Sequence, residues 1–169
     1  MTTYVALLRA VNVGGTGKLP MAALVAMCED AGFARVRTYI ASGNVVFDFK
    51  GSEPRVKALL APRLAAHAGK AVAVLVRTAA EMAAVQRANP FAAAPPNRVL
   101  VTFLDQAPAA DALTQATGQA GEMCHLGVRE IYVRYGDAMA DSKLKISAAL
   151  AGTARNMNTV ARLAAMAAS

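Results

Sequence analysis

Apolar residues fall in short blocks along this chain, and the spacing within each block identifies the element it builds. TYVALLR, residues 3–9, is apolar almost throughout and predicts a largely buried strand. Met21, Leu24, Val25 and Cys28 recur at i, i+3, i+4, i+7, which predicts an amphipathic helix ending near Gly32, with Pro20 as its first residue. Val36, Thr38 and Ile40 alternate with Arg35, Arg37 and Tyr39. Ser42, Gly43 and Asn44 then signal a turn, and VVFDF follows, so a hairpin is expected over 35–49. Glu53 and Pro54 open a helix with Val56, Leu59, Leu60 and Leu64 on one face, and AVAVLVR at 71–77 closes the block as a fourth strand.

The order over 3–77 is therefore βαββαβ, the split arrangement of ferredoxin-like units. From Thr78 onward the pattern stays mixed. Thr78 and Glu81 make a capping box for a helix reaching Arg87. NPFAAAPPN reads as a loop and RVLVTFL as a strand. A helix is expected near 109–116 and a hairpin around Gly127, with strands near 122–125 and 130–135. Two closing helices are expected near 142–150 and 157–168. The fold class is α+β, with a ferredoxin-like half at 1–77 packed on a second α+β half at 78–169.

Composition narrows the class. The chain has 169 residues, 56% of them hydrophobic and 17% charged, so one or two packed globular units are expected. No apolar run reaches the roughly 18 residues of a membrane span, and no basic leader precedes a long apolar stretch, so a cytoplasmic protein without a membrane partner is expected. Cys28 and Cys124 have no near partner in sequence. That pattern excludes a CxxC metal or redox motif and predicts two unbridged thiols. The net charge is +7, and residues 1–77 carry ten basic groups against four acidic ones. Such an excess attracts anionic partners, either a small molecule or a nucleic acid.

The segment RAVNVGGTGKLPM, residues 9–21, carries the sharpest candidate chemistry. It is not a Walker loop, because Asn12 stands where the first glycine belongs and Leu19 where the hydroxyl belongs. It is not a dinucleotide fingerprint either, because Pro20 replaces the third glycine. A glycine-rich turn at a helix N-terminus can still hold an anion through backbone N–H groups, with Arg9 and Lys18 neutralising it. The plainer reading is a turn that needs glycine for its backbone angles.

Catalytic candidates are poor. His67 sits at a helix end, and His125 and Cys124 are adjacent on a strand and so face opposite ways. Ser142 and Lys143 are adjacent on an expected helix and do not face each other. Asp137 and Asp141 are spaced to share a helix face, which fits a solvated helix start better than a magnesium site. No metal-ligand spacing appears, no cofactor is indicated, and no reaction follows. The RNA-binding signature of ferredoxin-like sheets is absent, leaving Arg35, Arg37 and Tyr39 as the interleaved basic and aromatic set. Pairing of these arginines with Asp48 across the hairpin is the alternative.

YVALLRAVNVGG with Lys18 and Met21, then RTYIASGNVVF, DSKL and TARNMNTV, resemble the domain-of-unknown-function family numbered 1697, whose members are bacterial. The resemblance implies a ferredoxin-like unit joined to a second α+β part, and it implies no enzyme. It maps family motif positions onto Arg9, Asn12, Gly14, Gly15, Lys18, Tyr39, Ser42, Gly43, Asn44, Ser142, Lys143, Arg155, Asn156, Asn158 and Thr159. Met157 stands where the family usually has Trp, which removes an aromatic platform at that spot and suits core packing.

Together these residues predict a phosphate-bearing small ligand held by Arg9, Asn12, Gly14, Gly15, Lys18, Ser42, Asn44, Arg155, Asn156 and Asn158. The three polar segments would have to meet in space, with Asn156 or Asn158 also capping the last helix. The alternatives from other classes are a single-stranded nucleic-acid-binding module and a scaffold or oligomer-forming protein.

Overall fold

The computed structural model describes residues 1–9, 19–40 and 43–169. They form two compact units, Met1–Met82 together with Leu163–Ser169, and Ala83–Arg162.

In the first unit β1 (Thr2–Leu8), α1 (Met21–Asp30), β2 (Ala34–Thr38), β3 (Asn44–Phe49), α2 (Glu53–Ala68) and β4 (Val74–Thr78) follow in the expected order. The sheet runs β2-β3-β1-β4 with every neighbouring pair antiparallel. That is the ferredoxin-like order, because each βαβ passes over one intervening strand. The helices cover one face. Leu24 and Cys28 of α1 and Val56, Leu60 and Leu64 of α2 are buried against Tyr4, Ala6, Leu8, Val45, Phe47, Val74 and Val76. Met21 packs on this core partly buried, and Val25 is also only partly buried. Pro20 is the N-cap of α1, with extended backbone, rather than its first residue. Ser52 caps α2 by accepting from the Arg55 amide, and Gly69 ends it in the left-handed conformation that favours glycine.

β2 departs most from its expected pattern. Arg35 and Ile40 both have φ near 50°, and the register shifts between Ala34 and Arg37. The bulge ends the alternation, so Ile40 is exposed rather than inward. Arg35 pairs with Asp48 across the hairpin at 2.6 Å, and Thr3 donates to the same carboxylate at 2.7 Å. The Arg35 bond and then the Thr3 bond hold the Asp48 carboxyl below its usual range. Arg37 reaches another partner, donating to Met166 O at 2.8 Å.

The second unit contains β5 (Val99–Phe103), β6 (Met123–Leu126), β7 (Glu130–Arg134) and β8 (Thr153–Asn156) in the order β6-β7-β5-β8, again antiparallel throughout. This is the strand order of the first sheet repeated. α3 (Ala79–Arg87) begins with the expected box: Thr78 N donates to Glu81 Oε1 at 2.8 Å, and Glu81 N donates to Thr78 Oγ1 at 3.1 Å. α4 (Met157–Ala168) is also present.

Two expected helices are absent, and one strand was not foreseen. Residues 109–116 form turns, not a helix. Residues 142–150 give an irregular strand-like stretch and a 3-10 turn, Ser147–Ala151. TARN leads into the last helix as expected but is itself strand β8. Tertiary pairing overrides local preference in the last two. Lys145 exchanges backbone bonds with Thr117, and β8 is drawn onto β5 with Arg155 opposite Val101. The turns then do what helices do in the first unit: Leu113, Ala116, Leu144, Ala148 and Ala149 pack over Leu104, Ile131, Val133 and Ile146.

Candidate functional site

The predicted site divides between the two units. Asn12, Gly14, Gly15, Lys18 and Ser42 lie outside the described residues. Their flanks are well placed. Leu8 N donates to Gly43 O at 2.9 Å, and Arg9 N donates to Ala73 O at 3.0 Å. The chain that leaves β1 toward the glycine loop thus starts beside the hairpin tip, at one end of the first sheet, and Arg9 is exposed there. Leu19 and Met21, which bracket Pro20, join the same core as Leu8 and Val74. Among the described residues no side chain caps the N-terminus of α1, and its first turn holds no acidic residue.

Asn44 has a structural task at this end. It is fully buried, donates its side-chain amide to Tyr39 O at 2.9 Å, and accepts from Tyr39 N at 3.1 Å through its own carbonyl. Gly43 precedes it with φ 90°, a conformation that glycine adopts without strain. These features close the hairpin.

Arg155, Asn156 and Asn158 belong to the second unit. Arg155 is buried in β8, where its guanidinium donates to Thr153 Oγ1 at 2.8 Å and Ala154 O at 2.9 Å. Burial pulls its pKa down to about 10. Asn156 Oδ1 accepts from Thr159 N at 3.0 Å, so Asn156 is the N-cap of α4, one of the two residues expected in that role. Asn158 is exposed, and Met157 is buried as core.

The DSKL motif lies in a place that sequence spacing did not anticipate. Ser142 is extended rather than helical, and its hydroxyl donates to Glu122 in a short hydrogen bond. Ala120 N donates to the other Glu122 oxygen at 2.5 Å. The Ser142 bond first, then the Ala120 amide, holds the Glu122 carboxyl below its usual range. Ser142 Oγ also accepts from Leu144 N at 3.3 Å, so the hydroxyl clasps two loops and is not poised as a nucleophile. The loops meet closely: a methyl on Gly118 would sit 2.1 Å from Lys143 O. Between them is a hollow of about 350 Å³ lined in part by Glu122, Asp141, Ser142 and Lys143.

Asp137 pairs with Arg98, and Asp141 ends a 3-10 turn, so the two do not share a helix face. No metal-holding cluster of His, Cys, Asp or Glu occurs among the described residues. His67 and His125 are exposed, while Cys124 turns inward. Cys28 and Cys124 are free thiols.

The sheet surface that ferredoxin-like modules use for RNA is not open. Opposite the helix-covered face, Val5, Leu7, Val46, Leu75 and Arg77 are all within 1% of full burial. The aromatic residues Tyr4, Phe33, Phe47 and Phe49 belong to the helix side. No helix among the described residues is long and apolar enough to cross a membrane.

A family model described as "Protein of unknown function (DUF1697)" matches residues 1–132, a span that holds the glycine loop and the hairpin tip and stops short of DSKL and TARN. None of the curated proteins matches the chain. Among solved structures, the conserved bacterial protein SP0830 from Streptococcus pneumoniae is similar over 98% of each chain, with a TM-score of 0.81 at 21% identity. That likeness establishes the shared fold.

Proposed function

We propose that this chain, which belongs to the DUF1697 family of proteins of unknown function, binds a phosphate-bearing small ligand at one end of its first sheet. The observation that carries the reading is the Leu8–Gly43 backbone bond. It brings together Leu8 and Gly43, which flank residues 10–18 and 41–42 in sequence, and the first turn of α1 holds no acidic residue. Arg9 and Lys18 would supply charge, and Asn12, Ser42 and the amides around Gly14 and Gly15 would supply donors. Each charge-assisted hydrogen bond to a phosphate oxygen contributes about 1.5–3 kcal/mol. Arg155 and Asn156 bond within the second unit, so the proposed contacts rest on the first unit. The free thiols fit a reducing cytoplasm.

Calorimetric titration tests this. Inorganic phosphate and adenosine monophosphate should give saturable heat. Arg9→Ala or Lys18→Ala should weaken binding by roughly tenfold to a hundredfold, about 1.4–2.8 kcal/mol, with the fold retained. Because both faces of the first sheet are buried, single-stranded RNA should bind no more tightly per site than the mononucleotide. Absence of saturable heat with either anion would remove the proposal.

A further inference from the structure

We propose that the second unit carries a separate site for a small zwitterion, with its phosphate or carboxylate at Arg98 and Arg134 and its amine at Glu122 and Asp141. Two hollows lie against the same short segment, Tyr135, Gly136 and Asp137. One is the hollow of about 350 Å³ beside DSKL, and the other is an open hollow of about 450 Å³ lined in part by Arg98 and Arg134. Each is large enough for a molecule of a few heavy atoms. Their charges are opposite. The first wall carries Glu122, Asp141 and the shared Asp137 against the single cation Lys143, and the second carries Arg98 and Arg134 against Asp137 alone. A molecule of one charge is served by one hollow. A molecule with both charges a few bonds apart is served by both, across the shared segment.

Asp137 indicates how the arginine side works. Its carboxylate pairs with Arg98 while its side chain is fully exposed, so it stands where a ligand anion would stand. An ion pair with one partner in open solvent is inexpensive to open. On the acidic side Glu122 is fixed by two donors and stays ionised, a preorganised negative charge that needs no rearrangement to meet an ammonium group. Gly136 lines both hollows, and a methyl added there would meet no heavy atom within 4 Å, with no left-handed φ to oppose it. A larger side chain at that position would enter the open space beside this shared segment without straining the backbone.

The test uses the full chain, labelled with ¹⁵N, titrated with O-phosphoethanolamine, β-alanine, ethanolamine and inorganic phosphate. O-Phosphoethanolamine or β-alanine should shift the amides of residues 118–122 and 135–143. Saturation should come at a concentration at least tenfold below that of ethanolamine or phosphate. Arg134→Ala should weaken this at least tenfold, and Gly136→Val should do the same with an unchanged melting temperature. Inorganic phosphate binding as tightly as the zwitterions would overturn the proposal, as would Gly136→Val binding like wild type, or no shift in these amides with any probe. Shifts confined to residues 9–20 and 43–44 would overturn it as well, while supporting the first-unit site.

Discussion

Cys28 and Cys124 differ in surroundings more than in sequence context. Cys28 is fully buried between α1 and the sheet, and burial, with a smaller contribution from Glu29, pushes its thiol up to about 12 from an ordinary value near 9. Cys124 is half-buried on β6, and burial, then Glu122, also raises it. A disulfide reagent at pH 8 should therefore modify Cys124 while the chain is folded, and Cys28 only at the rate of unfolding. The pH effect has a definite sign. Between the two pKa values the unfolded chain has lost the Cys28 proton and the folded chain has kept it. Stability present below pH 9 is thus lost as pH rises toward 12, with a slope of about 1.4 kcal/mol per pH unit. The stability difference between wild type and Cys28→Ala, from urea unfolding, should shrink by about 1 kcal/mol from pH 8 to pH 10. A difference that is constant over this range would show that Cys28 titrates normally. Arg155 is the opposite kind of residue. As a motif position it looked like a ligand group, yet its guanidinium sits inside the second sheet's edge on Thr153 and Ala154. Residue type alone cannot separate these roles, because burial depends on which strand pairs with which.

At the scale of elements, the parts with a local cause were legible and those with a distant cause were not. The capping box of α3 is local, three residues apart, and it is present. Thr78→Ala should cost about 1 kcal/mol in urea unfolding with an unchanged m-value, because it leaves the Glu81 amide without its oxygen. A loss below a few tenths would mean water replaces the hydroxyl at no cost. β1, α1, β3, α2 and β7 were read from periodicity because each carries a continuous apolar stripe. β8 was not, because TARN has one apolar residue and becomes a strand through pairing with β5. The helix expected near 109–116 is lost to side-chain competition. Thr114 Oγ1 donates to Asp111 O at 2.7 Å and Gln115 to Asp111 Oδ2 at 3.3 Å, which offers the backbone a turn instead. The hollow beside DSKL stayed hidden because its cause, like that of β8, is distant in sequence. It exists because Glu122 holds Ser142 from 20 residues away. The ends of β1 and β3, by contrast, were visible as polar breaks in apolar strands.

At the scale of the whole molecule, the two sheets share one strand order, and the sequence shows no repeat because turns replace helices in the second. A different long-range feature leads to the last prediction. Residues Leu163–Ser169 end α4, yet they belong with Met1–Met82. Leu163, Ala164 and Ala167 are buried. Arg37 donates to Met166 O at 2.8 Å and to Ser169 Oγ at 3.2 Å, and Arg35 donates to Ser169 O at 3.2 Å. Basic side chains at a helix C-terminus satisfy its last carbonyls and oppose its dipole. The second terminal nitrogen of Arg37 is already buried without a hydrogen-bond partner among the described residues, so beyond the Nε bond to Arg35 O at 3.1 Å the NH1 bonds are what tie this guanidinium to α4. Ending the chain at Arg162 removes those acceptors and the buried Leu163, at a cost of about 2–5 kcal/mol. The loss should be local first. Amide exchange in β2, the bulged edge strand that carries both arginines, should quicken more than tenfold relative to β7. Equal quickening in β2 and β7 would mean that the segment supports the fold globally, and unchanged exchange in β2 would mean that the arginine contacts contribute nothing to holding that strand.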